Sequence, residues 1–366
     1  MKFAILHSSL DRAGGDITFC YNLAKELNAD IYTNKYDENI NDSYKGIYKY
    51  VRPPNFEITA IRGLDKFEHI IRWIIRKDID ADFYIYSSAG PSYHTILDKT
   101  PYLYYCHTPN RSLYDLYPLV RKYHKTKGLK YSILGKMKMI AMKLLDQSLH
   151  RFVINPNQVV TNSELVYKRY VDVYNKTPRC VINPPINIGD FYNCSSEDYY
   201  LTVNRLEQKK RIDWQVKAFS GGQEKLLIVG DGPERMKLEK LAKKCRANVA
   251  FKGNVSDREL KRLYAKSKAF IFSAIREDFG IVPVEALASG KPVICINEGG
   301  PLEYLNPKNS ILFSNLKELR EIIHWYRIED FESMKFACLD TAKQFDSKVI
   351  AEKIKETASE ILDEFY

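Results

Sequence analysis

Residues Ser273–Leu305 read SAIREDFGIVPVEALASGKPVICINEGGPLEYL. An apolar run, KAFIFSA, leads into this stretch, and a second one, KPVICI, lies inside it. Between the two runs a loop carrying Glu277 and Gly280 opens into a short apolar segment carrying Pro283 and Glu285. Proline suits the first turn of a helix, so the pattern reads strand, loop, helix, strand, with the glutamates on either side of the turn. A Gly-Gly pair, Gly299 and Gly300, then follows the second strand. Two questions arise: why carboxylates sit where a strand becomes a helix, and why glycines recur one strand later.

Working outward, the same alternation fills the chain. In the first half KFAILHS, ADIYTN, ADFYIYSS, TPYLYYCHT and QVVTNS read as strands. In the second half DYYLTVN, EKLLIVGDG, ANVAFKGN, KAFIFSA, KPVICI and SILFSN do so. Most are continuous apolar runs, as strands covered by helices on both faces require. Amphipathic segments such as DITFCYNLAKELN, PERMKLEKLAKKC and SDRELKRLYAKS lie between them. A βαβ pattern that restarts in mid-chain predicts an α/β protein of two doubly wound, Rossmann-like domains, and 366 residues exceed one typical core. The Pro-, Asn- and Ser-rich stretch CVINPPINIGDFYNCSSED places the boundary. The expected division is 1–185 and 186–345, with a terminal helix over 346–366 packing back on the first domain. Ligands of such sheets bind beyond the carboxyl ends of the strands, so two such domains facing each other would form a cleft.

Several loops at those carboxyl ends carry candidate chemistry. A helix start beside a glycine leaves unpaired N–H groups, a ready anion site. Glu285 on that helix can accept both hydroxyls of a ribose, or it simply occupies a helix turn near the dipole. Glu277 can reach a sugar hydroxyl, or it is a solvated loop charge. VNRLEQKKRIDW places Arg205, Lys210 and Arg211 beyond another strand, cations suited to a pyrophosphate or to a solvated basic turn. LHSSLDRAGGDIT (Gly14, Gly15) and IVGDGPE (Gly230, Gly232) are incomplete as dinucleotide fingerprints and are equally readable as tight turns. In YYCHTPNRSLYD, His107 and Arg111 follow a strand, where a histidine can bond a hydroxyl or phosphate. Asp78, Asp80 and Asp82 in KDIDADF precede a strand, so they fall at the wrong end of the sheet for a metal site.

Together these motifs resemble the retaining GT-B glycosyltransferases of the large family-four group, most closely those that use GDP-mannose. The resemblance runs over AGGD, CHTPNR, TNSE, INPPIN, VNRLEQKKRID, VGDGPE, FKGNVSDRELKRLYAKSKAFI, REDFGIVPVEALASGKPVI and EGG, in order along nearly the whole chain. It implies a ribose contact for Glu285 and a place near the transferred sugar for Glu277. It implies donor contacts from the backbone of Phe279, Gly280, Ile281 and Val282, with Arg205 and Lys210 as a pyrophosphate clamp. Gly253, Asn254 and Val255 would border the base, Gly14 and Gly15 would close over donor and acceptor, and His107 would face the reacting sugar. Arg111 and Tyr114 fall on the acceptor side. Asn204 stands where relatives often have Gly, and Tyr114 where they usually show Trp. The implied reaction is metal-independent hexosyl transfer, with no cofactor beyond the nucleotide-sugar co-substrate, to a glycan or lipid-linked glycan. Transfer from a UDP-sugar such as UDP-glucose, a soluble-sugar synthase and a silent nucleotide-sugar-binding module are the alternatives.

Charge adds a partner. The net charge is +10, and Arg121–Lys143 holds eight Lys and Arg with no Asp or Glu. A balanced remainder argues against nucleic acid. Apolar residues Ile133, Leu134, Met137, Ile140, Ala141, Leu144 and Leu145 recur there at helical spacing. They predict either a helix docking on an anionic membrane surface through residues 121–145 or one packing its apolar face on the sheet. With no secretory segment or spanning run visible, the expected location is cytoplasmic, peripheral on the inner membrane face if docking holds. Seven cysteines without CxxC spacing predict reduced thiols.

Overall fold

A computed structural model describes residues 1–11, 14–37, 50–54, 65–115, 117 and 129–365, and the side chains of 65–69, 129–132 and 134 are excluded from that description. The chain forms two compact units. One runs to Asn183 and takes up again at Ala351, and the other is Pro184–Ile350.

The first unit contains a seven-stranded sheet built from β1 (Phe3–His7), β2 (Asp30–Thr33), β3 (Val51–Arg52), β4 (Phe83–Tyr86), β5 (Tyr102–Cys106), β6 (Val159–Thr161) and β7 (Cys180–Val181). Their order is β3-β2-β1-β4-β5-β6-β7, and every pairing is parallel. The second contains β8 (Tyr200–Val203), β9 (Leu226–Val229), β10 (Val249–Gly253), β11 (Ala269–Phe272), β12 (Val293–Ile296) and β13 (Ser310–Phe313), ordered β10-β9-β8-β11-β12-β13 and again all parallel. The central strands FAILH, YLYYC, LLIV, AFIF and VICI are buried at every position, which is why they read as unbroken apolar runs. Both sheets reverse direction of winding once, between β1 and β4 and between β8 and β11. Those are the switch points at which an open α/β sheet leaves a crevice.

Helix boundaries follow local chemistry. Ser163, Ser256 and Asn315 each accept a backbone N–H of the turn that follows. Asn28, Asn175 and Arg246 close helices in the left-handed conformation. Two strands were not legible. Val51–Arg52 and Cys180–Val181 have two residues each, and the second opens the stretch expected to be a connection. The terminal helix Ser347–Phe365 has Ile354, Ala358 and Ile361 buried. Within the first unit, Arg179 holds Glu360 at 3.1 Å and also bonds Glu364. All seven cysteines are free thiols.

Candidate functional site

The loops beyond β8, β9, β11 and β12 are sewn together by their backbones. Leu206 N–H donates to Asp231 C=O at 2.9 Å, and Glu234 N–H donates to Leu206 C=O at 3.0 Å. Ile275 N–H donates to Lys209 C=O at 3.0 Å, and Ser273 Oγ donates to Lys210 C=O at 2.8 Å. Such close approach explains the glycines. A Cβ on Gly230, whose φ is +109°, would lie 2.1 Å from Asn204 O. One on Gly300 would lie 2.0 Å from Asp278 O. The Gly-Gly turn after β12 therefore exists so that the loop holding Glu277 can rest directly on it. Gly300 N–H donates to Glu277 C=O at 2.8 Å, and the Glu298 carboxylate accepts Arg276 N–H at 2.9 Å. Arg276 itself has a φ of +52°, a strained conformation that these bonds hold in place.

That scaffold aims the candidate side chains at the β8/β11 switch point. Lys210 Nζ and Glu277 Oε2 form an ion pair at 2.7 Å, with the ammonium 5.8 Å from the Phe272 ring centroid. Both side chains are mostly buried, at 15% and 27% exposure. Arg205 goes elsewhere. It is 63% exposed and meets Glu207 at 3.0 Å rather than joining Lys210. Gly280, at φ +87°, caps the helix Ile281–Ala288, whose first N–H groups have no intrahelical acceptor. Tyr304 Oη bonds Gly280 O at 2.8 Å and Phe279 O at 3.1 Å, and the Phe279 ring packs on Tyr304 and Phe345. Pro283, as expected, lies in the first turn.

Glu285 lies in the second turn and accepts the Tyr264 hydroxyl at 2.8 Å. Burial raises its carboxyl to about 7, against the pull of that hydroxyl. Gly253, at φ +66°, receives Gly230 N–H on its carbonyl, and Arg235 Nη1 would meet its Cβ at 3.1 Å. Asn254 is exposed and Val255 packs on the core cluster beneath. Arg235 is held by Asp231 and Glu239.

In the first unit the switch point between β1 and β4 holds a polar cluster. Ser87 Oγ lies 3.1 Å from His7 Nδ1 and 3.0 Å from His107 Nε2, with Cys20 Sγ at 3.4 Å. Burial pushes His107 down to about 4 and the Cys20 thiol up to about 12. His7 Nε2 is 3.7 Å from Asp16, which follows Gly14 and Gly15 at the start of the helix Gly15–Leu27. Phe19 and Tyr105 pack edge-on against His107. Arg111 forks onto Asp115, and Tyr114 donates to Asp146 at 2.7 Å beside Tyr174 at 2.8 Å. The sequence did not mark His7, Ser87, Tyr264 or Tyr304, because each becomes meaningful only through a partner 20 to 80 residues away. Glu298 was visible in EGG, without a role.

The acidic triplet lies at the opposite, amino end of β4. Asp78 pairs with buried Arg76, Asp80 with Lys2 Nζ at 2.6 Å, and Asp82 accepts Lys2 N–H at 2.6 Å. Among the described residues no His, Cys, Asp or Glu group is arranged to hold a metal ion.

Comparison of the whole chain with solved structures finds Anabaena HepE in complex with UDP-glucose, at TM-score 0.73 and 17% identity, covering 98% of this chain and all of that one. The fold is GT-B. Within it, residues 193–325, all in the second unit, match the family of glycosyl transferases group 1. Among curated proteins, a probable sucrose-phosphate synthase of Thermosipho melanesiensis is 29% identical over 52% of this chain and 49% of its own length. The alpha-1,3/1,6-mannosyltransferase ALG2 of Saccharomyces cerevisiae is 24% identical over 64% of this chain and 54% of its own length. The chain thus spans about half the length of these curated relatives. In this GT-B chain the family match covers both the Lys210–Glu277 pair and Glu285.

Proposed function

We propose that this protein is a retaining hexosyltransferase that moves mannose from GDP-mannose to a glycan or lipid-linked glycan, without a metal ion. One observation carries the reading: a lysine–glutamate pair stands at the switch point of the second sheet, beside the open amino end of the helix bearing Glu285. Each part meets a piece of a nucleoside-diphosphate sugar. Glu285 accepts the ribose hydroxyls. The N–H groups of Gly280, Ile281 and Val282 meet phosphate oxygens. The Lys210 ammonium leaves Glu277 for the diphosphate, and Glu277 then takes a hydroxyl of the sugar.

The chemistry follows from where charge develops. Breaking the anomeric C–O bond leaves negative charge on the β-phosphate, and Lys210 with the helix amino end stabilises it. The departing phosphate oxygen accepts the proton of the incoming hydroxyl as that oxygen bonds to the anomeric carbon on the same face. Arg205 reaches the diphosphate by exchanging Glu207 for a phosphate, which its exposure permits. In the first unit, the surface around His107, Gly14 and Gly15, with Arg111 and Tyr114 beyond it, is the proposed acceptor side. The similarity to a named mannosyltransferase and the motif CHTPNR favour mannose. UDP-glucose is the second reading, since it is the ligand of the HepE structure that shares the fold.

The test is donor hydrolysis and thermal shift across GDP-mannose, UDP-glucose and other nucleotide sugars. Turnover of GDP-mannose that collapses in Lys210→Ala is expected. Turnover of a UDP-sugar alone would move the reading to the second donor, and binding without turnover of any donor would make the chain a silent sugar-nucleotide module.

A further inference from the structure

The helix Leu129–Ser148 presents an apolar stripe to solvent. Ile133, Met137, Ile140 and Leu144 are 53%, 63%, 49% and 60% exposed. At ~100° per residue these four fall within an arc of about 60°. The inward side is equally well defined. Gly135 is buried, Met139 and Met142 are half-buried, and Asp146 accepts hydroxyls from Tyr114 and Tyr174. The helix is therefore apolar on two sides, and its own unit covers only one. Four neighbouring large aliphatic and thioether side chains in water form a patch of the kind that marks a docking surface.

Charge identifies the occupant. Lys136 and Lys143 flank the stripe on one side, and Lys138 lies further round on the other, all three exposed. No Asp or Glu occurs between Arg121 and Lys143. A second copy using the same face would set these lysines against each other, since a two-fold contact is self-complementary. The stripe also lacks the Trp, Tyr and Arg anchors on which protein interfaces concentrate their affinity. Aliphatic side chains entering acyl chains, with lysines at headgroup level, match an anionic bilayer instead. We propose that this helix face docks the protein on an anionic lipid surface. The inference rests on the proposed function only in supposing that a lipid-linked acceptor lies at that surface.

Flotation of the full chain with phosphatidylcholine vesicles, with or without phosphatidylglycerol, tests it at low and raised salt. Co-flotation is expected only with the anionic vesicles, weakening as salt rises. M137E/I140E should fall to the vesicle-free control, and K136E/K138E should lose the salt-sensitive part. A wild-type protein that stays down with anionic vesicles, or an M137E/I140E variant that floats like wild type, overturns the proposal. So does a lipid-free dimer, seen by sedimentation, that M137E/I140E converts to monomer, because the face then meets protein. If circular dichroism shows that the double variant has not folded, Ile133→Asn and Leu144→Asn carry the same comparison singly. Thermal shift with GDP-mannose in lipid-free buffer separates the two readings, since its absence would sink the donor assignment and leave flotation untouched.

Discussion

Lys210 and Glu277 occupy each other at 2.7 Å, so the proposed reaction begins by exchanging one anion for another around that ammonium. That makes Lys210 the residue with the largest expected effect. Lys210→Ala should lower kcat/KM by about 10²–10³-fold, the loss typical of removing one preorganised group from a developing oxyanion. Lys210→Arg should recover part of it, and steady-state kinetics with the best donor checks both. Glu285 offers a pH signature. Its carboxyl ordinarily titrates near 4.5 and here is raised to about 7 by burial. Between those values the folded protein keeps a proton that the unfolded chain has released. That share of stability is complete below the lower value and is lost as pH rises through the upper one. Ribose binding runs the other way, because the ionised carboxylate is the better acceptor for two hydroxyls. Donor KM should therefore fall as pH rises through about 7. Tyr264→Phe removes the hydroxyl that holds this carboxylate down, so it should move the fall to higher pH with little change in the limiting kcat. A pH profile of KM that is flat from about 6 to about 8 would exclude Glu285 as the ribose acceptor.

At the scale of elements, the site is a set of loops that lean on one another, and glycine is what lets them touch. Gly300→Ala would force a methyl to within 2.0 Å of the Asp278 carbonyl oxygen, so the loop bearing Glu277 must shift. A cost of about 1–3 kcal/mol is expected. For a unit of this size that corresponds to a melting-temperature drop of at least ~2–4 °C, with loss of turnover greater than the stability change explains. Gly230→Ala, against Asn204 O, should behave alike, whereas Gly222→Ala, with only a backbone nitrogen at 4.0 Å, should melt as wild type. A melting curve of Gly300→Ala that overlays wild type would show that the two loops can separate freely. These contacts also explain how much could be read beforehand. The long buried strands were legible because burial on both faces leaves an unbroken apolar run. Strands of two residues, Val51–Arg52 and Cys180–Val181, are too short to show any period. Glu277 and Glu285 stand out in the sequence because they follow a strand and flank Gly280, and Lys210 because it belongs to a cluster of cations beyond another strand. That Lys210 bonds Glu277 depends on the loops after β8 and β11 coming side by side, and that Tyr264 bonds Glu285 depends on the helices Asp257–Lys266 and Ile281–Ala288 meeting, and spacing along the chain encodes neither.

For the molecule as a whole, the acidic triplet of the first unit stands at the other end of its sheet from the loops that carry candidate chemistry, and it has its own cations. Lys210 and Arg205 stand at the carboxyl ends of the second sheet, while Asp78, Asp80 and Asp82 sit at the amino end of the first, committed to Arg76 and Lys2. An acidic triplet so placed serves folding. Arg76 is 1% exposed and also bonds Thr33 O, Arg52 O and Pro53 O, so Asp78 keeps a buried guanidinium neutralised. Asp78→Asn should cost about 3–5 kcal/mol, as breaking a buried pair does, and should leave donor KM unchanged in whatever fraction stays folded. In the proposed reaction the donor's diphosphate meets protein cations and peptide N–H groups, and these supply its charge balance. Turnover with GDP-mannose should then be the same in chelator as in added Mg²⁺ or Mn²⁺. It should also fall as ionic strength rises, because exposed Arg205 is screened more readily than the half-enclosed Lys210. Chelation that abolishes turnover and a divalent ion that restores it would show that a metal carries the charge assigned here to Lys210, Arg205 and the amino end of the helix Ile281–Ala288.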